Sequence, residues 1–137
     1  MVRMLIAYVA ALAPFGLLDF CWLGIMGPRL YKPALGDLIA PSPRLAPAIV
    51  FYLLYIAGVV WFAVRPALEQ GGWRVALVNG ALFGLFAYAT YDLTNQATLR
   101  IWPVRVTILD LAWGAAASAA AATVSFAVTA WTNRATG

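Results

Sequence analysis

The chain has 137 residues, of which only 10% are charged and 64% are hydrophobic, so its composition predicts a single integral membrane domain, residues 1–137, and excludes a soluble one. Its net charge is +4, but the nine basic residues are scattered instead of clustered, which excludes a nucleic-acid partner and leaves membrane lipid as the expected partner. Without histidine and with one cysteine, Cys21, the chain has no basis for histidine catalysis, an internal disulfide or a multi-cysteine metal site, and no cofactor or metal is expected.

Four apolar segments are each long enough to cross the roughly 30 Å hydrocarbon core of a bilayer, which takes about 20 helical residues. The predicted spans cover about 4–27, 45–66, 74–98 and 104–131. The first is expected to remain uncleaved, because removal at the small-residue site near Ala13 would leave a very short apolar core for a signal peptide. Pro14 is expected to kink this span. The only sizeable loop is predicted at about 28–44.

The segments are uniformly apolar instead of alternating with a period of two residues, and four strands could not close a barrel. The predicted fold class is therefore all-α, an integral membrane bundle of four transmembrane helices. Four spans place both termini on one side, called side A, and the 28–44 loop on the opposite side, called side B. Side A carries four basic residues and side B carries five, so the positive-inside rule leaves the orientation and a dual topology open.

Three of the five acidic residues fall inside predicted spans, where a carboxylate costs several kcal/mol and is a functional-site hypothesis by default. Asp19 is eight residues from the side-B end of span one, and Asp92 and Asp110 are six or seven residues from the side-B ends of spans three and four. At about 1.5 Å per residue, all three lie roughly 9–12 Å below the side-B boundary. They are predicted to meet in one polar layer, where desolvation and mutual repulsion disfavour ionisation of all three.

Other polar side chains are predicted at the same depth. Span two supplies Tyr52 and Tyr55, whose phenols can donate hydrogen bonds to a carboxylate. In span three, Tyr88 and Asn95 share a helical face with Asp92, since residues three and four apart are neighbours on a helix. These residues are expected to complete the polar layer.

The same short sequence pattern, Asp-x-x-Trp, occurs in spans one and four. Asp19-x-x-Trp22 and Asp110-x-x-Trp113 each place an indole one turn from an acid. Because the two spans run in opposite directions, the indoles lie on opposite sides of their acids. The candidate ligand-binding residues are Asp19, Asp92, Asp110, Asn95, Tyr52, Tyr55, Tyr88, Trp22 and Trp113.

Two structural interpretations compete with a binding site. Buried polar side chains can hold helices together by hydrogen bonds, although such bonds average only about 0.6 kcal/mol each in a membrane protein. Basic side chains near the side-B rim, such as Arg105 one turn from Asp110, could instead neutralise the acids by snorkelling. Either arrangement would leave no acid in need of an external partner.

The run at residues 88–95, with Asp92 and Asn95, resembles a specific motif of a known family, as does the run at 110–114. Near the start, Leu18-Asp19 and Tyr31-Lys32 fit the same pattern. Together these motifs resemble the small membrane proteins grouped as domain of unknown function 2177, over nearly the whole chain. The resemblance implies four helices and a multi-pass protein of the bacterial inner (plasma) membrane, and it implies no assigned reaction.

Three classes of function remain open at this point. The acid layer could bind or transport a proton, a cation or a small amphiphile that enters from side B. It could belong to an intramembrane lipid-modifying enzyme or its accessory subunit, since carboxylates can act as general acids and bases or hold Mg²⁺ through oxygen atoms. It could also be structural, with the acids bonding helices together. The sequence leaves a homo-oligomer open, and transport by alternating access would favour one because a single four-helix bundle is small.

Overall fold

The computed structural model describes residues 1–135, and no β-strand is found among them. The first part of the chain consists of α1 Val2–Met26, a π-helical turn Gly27–Tyr31, α2 Lys32–Leu35 and a 3₁₀ turn Gly36–Leu38. The second part consists of α3 Leu45–Val59, a π-helical turn Val60–Val64 and α4 Arg65–Gln70. The last two helices are α5 Trp73–Thr98 and α6 Val104–Ala135. Because the short segments follow one another without a break, these elements form four long helical rods, at residues 2–38, 45–70, 73–98 and 104–135.

The protein is an all-α membrane bundle. Three of its helical stretches, Val2–Leu38, Leu45–Glu69 and Val104–Ala135, are long and apolar enough to cross a membrane. The fourth rod, α5, has 26 residues and is long enough to cross, but its second half contains the polar run at residues 88–96. It runs antiparallel to α6, its principal packing partner.

Small residues explain the close approach of α5 and α6. A Cβ atom added to Gly84 would lie 2.0 Å from the backbone oxygen of Gly114, and one added to Gly80 would lie 2.7 Å from the backbone oxygen of Ser118. Both glycines are therefore required for the two backbones to touch. The contact between α5 and α6 continues toward side B through Tyr88, whose ring covers Gly114.

The first connection differs from its prediction. Instead of a loop over 28–44, the helical path continues from α1 to Leu38, and only residues 39–44 link it to α3. Pro28 lies in the first turn of the π-helical segment and Pro33 in the first turn of α2, so both prolines coincide with a change of helix type within the continuous path. The path is also anchored by Leu30 and Leu35, which are buried. The helix α1 continues through Pro14.

The apolar core fills the side-A half of the bundle. Phe15 and Ile56 are fully buried there, packed with small residues of α6 such as Ala117 and Ala121. The hydroxyl of Ser125 donates a 2.6 Å hydrogen bond to the backbone oxygen of Ala7, which ties α6 to α1. This packing leaves the side-B half of the bundle to the polar residues.

Candidate binding cavity

The side-B half contains a cavity of about 960 Å³. Asp19 from α1, Asp92 from α5 and Asp110 from α6 all line it. The structure therefore brings the three acids to one site. The remaining wall is mainly aromatic and aliphatic: Trp22, Leu23, Gly27, Tyr31, Lys32, Leu35, Ile39, Ala40, Pro41, Pro43, Phe51, Tyr55, Ala87, Tyr88, Tyr91, Trp102 and Trp113.

The carboxylate of Asp19 is satisfied by protein donors. The Tyr52 hydroxyl donates a hydrogen bond to one oxygen, and the Trp113 indole N–H donates a 3.2 Å bond to the other. The side chain is 6% exposed. Since the two donors come from α3 and α6, Asp19 joins three helices, as the structural interpretation of the acids requires.

The carboxylate of Asp110 is partly satisfied by the segment that follows α1. The Tyr31 hydroxyl donates a hydrogen bond to Asp110 and accepts a 2.8 Å bond from the indole N–H of Trp22. Tyr31 ends the π-helical turn Gly27–Tyr31, so the continued helical path is what carries its phenol back over the cavity. A short polar chain thus runs from Trp22 through Tyr31 to Asp110.

Asp92 is the exception. Its side chain is 0% exposed, and neither carboxylate oxygen has a hydrogen-bond partner among residues 1–135. The Asp110 carboxyl and the Trp102 indole lie beside it, but within the described residues neither meets the distance and angle of a hydrogen bond to Asp92. A buried acceptor without a donor costs about 1–3 kcal/mol, and more when it is charged. Asp92 is therefore the member of the cluster that the fold itself does not explain.

Within the described residues, no basic side chain forms an ion pair with the cavity acids. Among residues 1–135 the one ion pair joins Arg65 to Glu69 at 2.9 Å, at the side-A end of the bundle. Arg105, which the sequence offered as a partner for Asp110, is exposed and makes no ion pair with it. The cavity therefore keeps an excess of carboxyl groups. Among residues 1–135, no group of three acidic or cysteine side chains lies close enough together to hold a metal ion.

In the structure, the Trp of each Asp-x-x-Trp pattern lies near the acid of the other pattern. The indoles of Trp22 and Trp113 stack with ring centroids 4.4 Å apart and an interplanar angle of 8°. The Trp of α6 bonds the acid of α1, and the Trp of α1 reaches the acid of α6 through Tyr31. Each helix therefore fixes the carboxylate of the other, and the stacked pair forms a flat aromatic wall of the cavity.

A family model described as a predicted membrane protein, DUF2177, matches residues 4–127. The chain belongs to this family. The match includes all three cavity acids and confirms the resemblance seen in the sequence motifs. No curated protein and no solved structure matches the chain.

The other predicted site residues of this DUF2177 member divide into three groups. Tyr55 and Tyr88 line the cavity, and the Tyr55 hydroxyl is hydrogen-bonded to the Ser118 hydroxyl at 2.7 Å. Tyr52 lies behind the wall and acts through Asp19. Asn95 is half-buried and lies outside the cavity wall.

The position of Asn95 follows from the packing of α5. The stripe of α5 that faces α6 advances four residues at a time, through Gly84, Tyr88 and Asp92. The next residue in that stripe is Gln96, whose side-chain oxygen accepts a 2.9 Å hydrogen bond from the Thr107 hydroxyl. Asn95 therefore turns away from the site.

Among the cavity residues absent from the predicted set are Tyr31, Lys32 and Trp102. Tyr31 and Lys32 were quoted only as part of the family motif, because residues 28–44 were expected to form a loop. Trp102 lies just before the predicted span at 104–131, and its ring packs against Tyr91 while its N–H donates a 3.2 Å hydrogen bond to the Thr107 hydroxyl. The motif Tyr31-Lys32 was the signal that could have placed the first two.

Proposed function

We propose that this membrane protein binds the polar head of a small amphiphile in the cavity, with hydrogen-bond donors of the head facing Asp92. The proposal rests on the burial of Asp92 and on its hydrogen bonds. Asp92 is fully buried, and neither of its two carboxylate oxygens has a donor among residues 1–135. A hydrogen-bond donor on a bound ligand would satisfy this group, whereas leaving it unpaired costs about 1–3 kcal/mol.

The size and lining of the cavity favour an amphiphile over a proton or a bare cation. Its volume of about 960 Å³ lies near the upper end of the roughly 300–1,000 Å³ that small-molecule pockets span. Apolar side chains such as Leu23, Leu35 and Phe51 share the wall with the acids. An apolar chain can lie along these residues while the head reaches the carboxyl layer.

The structural alternative accounts for two of the acids and fails on the third. Asp19 and Asp110 both accept hydrogen bonds from other helical segments, as interhelix bonding predicts. Asp92 accepts none among residues 1–135. In the proposed function, the first two acids shape the cavity and Asp92 meets the ligand.

Native mass spectrometry tests this proposal. The protein is purified in a mild detergent, incubated with the total polar lipid of the expression host and compared with Asp92→Asn. A matched control is Asp37→Asn, because Asp37 is exposed and lies outside the cavity wall. The wild type and the control should retain one lipid per chain under conditions that strip Asp92→Asn. Equal retention by all three proteins, or by none, would contradict the proposal.

A further inference from the structure

We infer that the head group is a primary ammonium joined to a phosphate, as in an aminophospholipid, with its ammonium between Asp92 and Asp110 and its phosphate facing Lys32. This inference rests on the proposed function, because it names the chemistry of the ligand in the same cavity. It is carried by three features: the charge of the site, the donors that Asp92 needs, and the one basic residue in the wall.

The charge of the cavity selects a cationic head over a neutral polyol. Three carboxyl groups line it, and none forms an ion pair with a basic side chain within residues 1–135. An ammonium placed among them gains charge-assisted hydrogen bonds, which are roughly twice as strong as neutral ones. The rings of Tyr91 and Trp102 also line the cavity and can attract a cation through their faces.

The donors that Asp92 needs select a primary ammonium over a quaternary one. Both oxygens of Asp92 lack donors, and a primary ammonium has three N–H groups, enough to reach Asp92 and the neighbouring Asp110 together. A trimethylammonium has none, so it would leave the buried oxygens unpaired and add three methyl groups to the same space. The site therefore discriminates by hydrogen bonding as well as by size.

Lys32 is the residue that favours a phosphate in the inferred head group. It is the one basic residue in the cavity wall, it is exposed, and it makes no ion pair within residues 1–135. Lys32 and Asp110 line the same cavity. A head group with its ammonium beside Asp110 can therefore turn its phosphate toward Lys32, whose ammonium can bind it.

The test compares lipids that differ only in the head group. Phosphatidylethanolamine, phosphatidylcholine and phosphatidylglycerol with identical acyl chains are titrated into the detergent-purified protein, and binding is measured by native mass spectrometry. Phosphatidylethanolamine should bind at least about tenfold more tightly than the other two, and Asp92→Asn should remove that preference while Asp37→Asn keeps it. Equal binding of the three lipids overturns this inference and leaves amphiphile binding intact. Absence of binding by all three overturns the proposed function as well.

A second pair of variants isolates the phosphate contact. Lys32→Gln should weaken phosphatidylethanolamine binding severalfold and leave the binding of a long-chain primary alkylamine, which has no phosphate, unchanged. Arg29→Gln is the matched control, since Arg29 is exposed on the same segment and outside the cavity wall. An equal loss for both ligands in Lys32→Gln, or the same loss in Arg29→Gln, would show that Lys32 does not contact the phosphate.

Discussion

Asp92→Asn should make the lipid-free protein more stable, whereas Asp19→Asn should make it less stable. Asp92 is 0% exposed, has no donor on either oxygen among residues 1–135 and lies beside Asp110. An uncharged amide cannot repel the Asp110 carboxyl and gives it an N–H donor, while the amide oxygen stays unpaired. Because an unpaired buried polar group costs about 1–3 kcal/mol and one of two is removed, we expect the free energy of unfolding to rise by about 1 kcal/mol.

Asp19 should behave in the opposite way because both of its oxygens accept hydrogen bonds, from Tyr52 and from Trp113. An asparagine keeps one acceptor oxygen and turns an amide nitrogen toward the other donor. One buried donor is then unpaired, and the free energy of unfolding should fall by about 1–3 kcal/mol. The two variants change the same functional group at the same depth, so the difference in sign isolates the state of the hydrogen bonds.

Reversible unfolding of the delipidated protein in mixed micelles of mild detergent and sodium dodecyl sulfate, followed by circular dichroism, measures both effects. Asp37→Asn should change stability little, because Asp37 is exposed and surface substitutions are usually worth within about 0.5 kcal/mol. A similar loss of stability in Asp92→Asn and Asp19→Asn would refute the reasoning, since it would show that Asp92 bonds helices together as Asp19 does.

Two further predictions concern the packing and the polar chain around the cavity. Gly84→Ala should lower the free energy of unfolding by about 1–3 kcal/mol, because its Cβ would lie 2.0 Å from the Gly114 oxygen. Gly16→Ala has open space around it and should not be destabilising. Equal effects of the two variants in the same micelle assay would contradict the α5–α6 contact. Tyr31→Phe should destabilise the protein by about 1–3 kcal/mol, since it leaves the Trp22 indole N–H unpaired and removes a donor from Asp110. Tyr91→Phe, at a half-exposed cavity ring that keeps its contact with Trp102, should change stability little, and a loss equal to that of Tyr31→Phe would be inconsistent with the polar chain.

The presence of four long helices was predictable because hydrophobic length and breaker residues set them locally, although the first rod continues to Leu38 instead of ending near residue 27. The prediction for span three, 74–98, differs from α5 by one residue, since Gly71-Gly72 and the end of the polar run define its limits. That Asp19, Asp92 and Asp110 line one cavity was also predictable. Rise per residue and alternating helix direction place them at matching positions along their helices.

The contacts between segments could not be read from the sequence in the same way. Residues three and four apart both share a helical face, so the pattern could not decide between Asn95 and Gln96. The close contact at Gly84 decides it, because it sets the four-residue stripe along α5. Tyr31 was missed for a related reason: prolines at 28 and 33 indicate a loop in the sequence but begin helical turns in the structure.

In the proposed function, the crossed Asp and Trp pairs stabilise the bundle while Asp92 binds the ligand. Asp19 and Asp110 are fixed by donors from other segments, and the stacked indoles of Trp22 and Trp113 hold the wall between them. This leaves Asp92 as the acid free to meet a ligand, at an energetic cost that the tightly packed side-A core can offset. A protein selected for stability alone would be expected to replace Asp92 with an apolar residue.

The most direct test of the central claim is a crystal structure of the protein grown in a lipid mesophase doped with phosphatidylethanolamine. The account predicts a lipid head group in the cavity, with its ammonium nitrogen within about 3.2 Å of an oxygen of Asp92. A structure in which both Asp92 oxygens accept hydrogen bonds from protein side chains, or in which the three aspartates point away from one another, would contradict it.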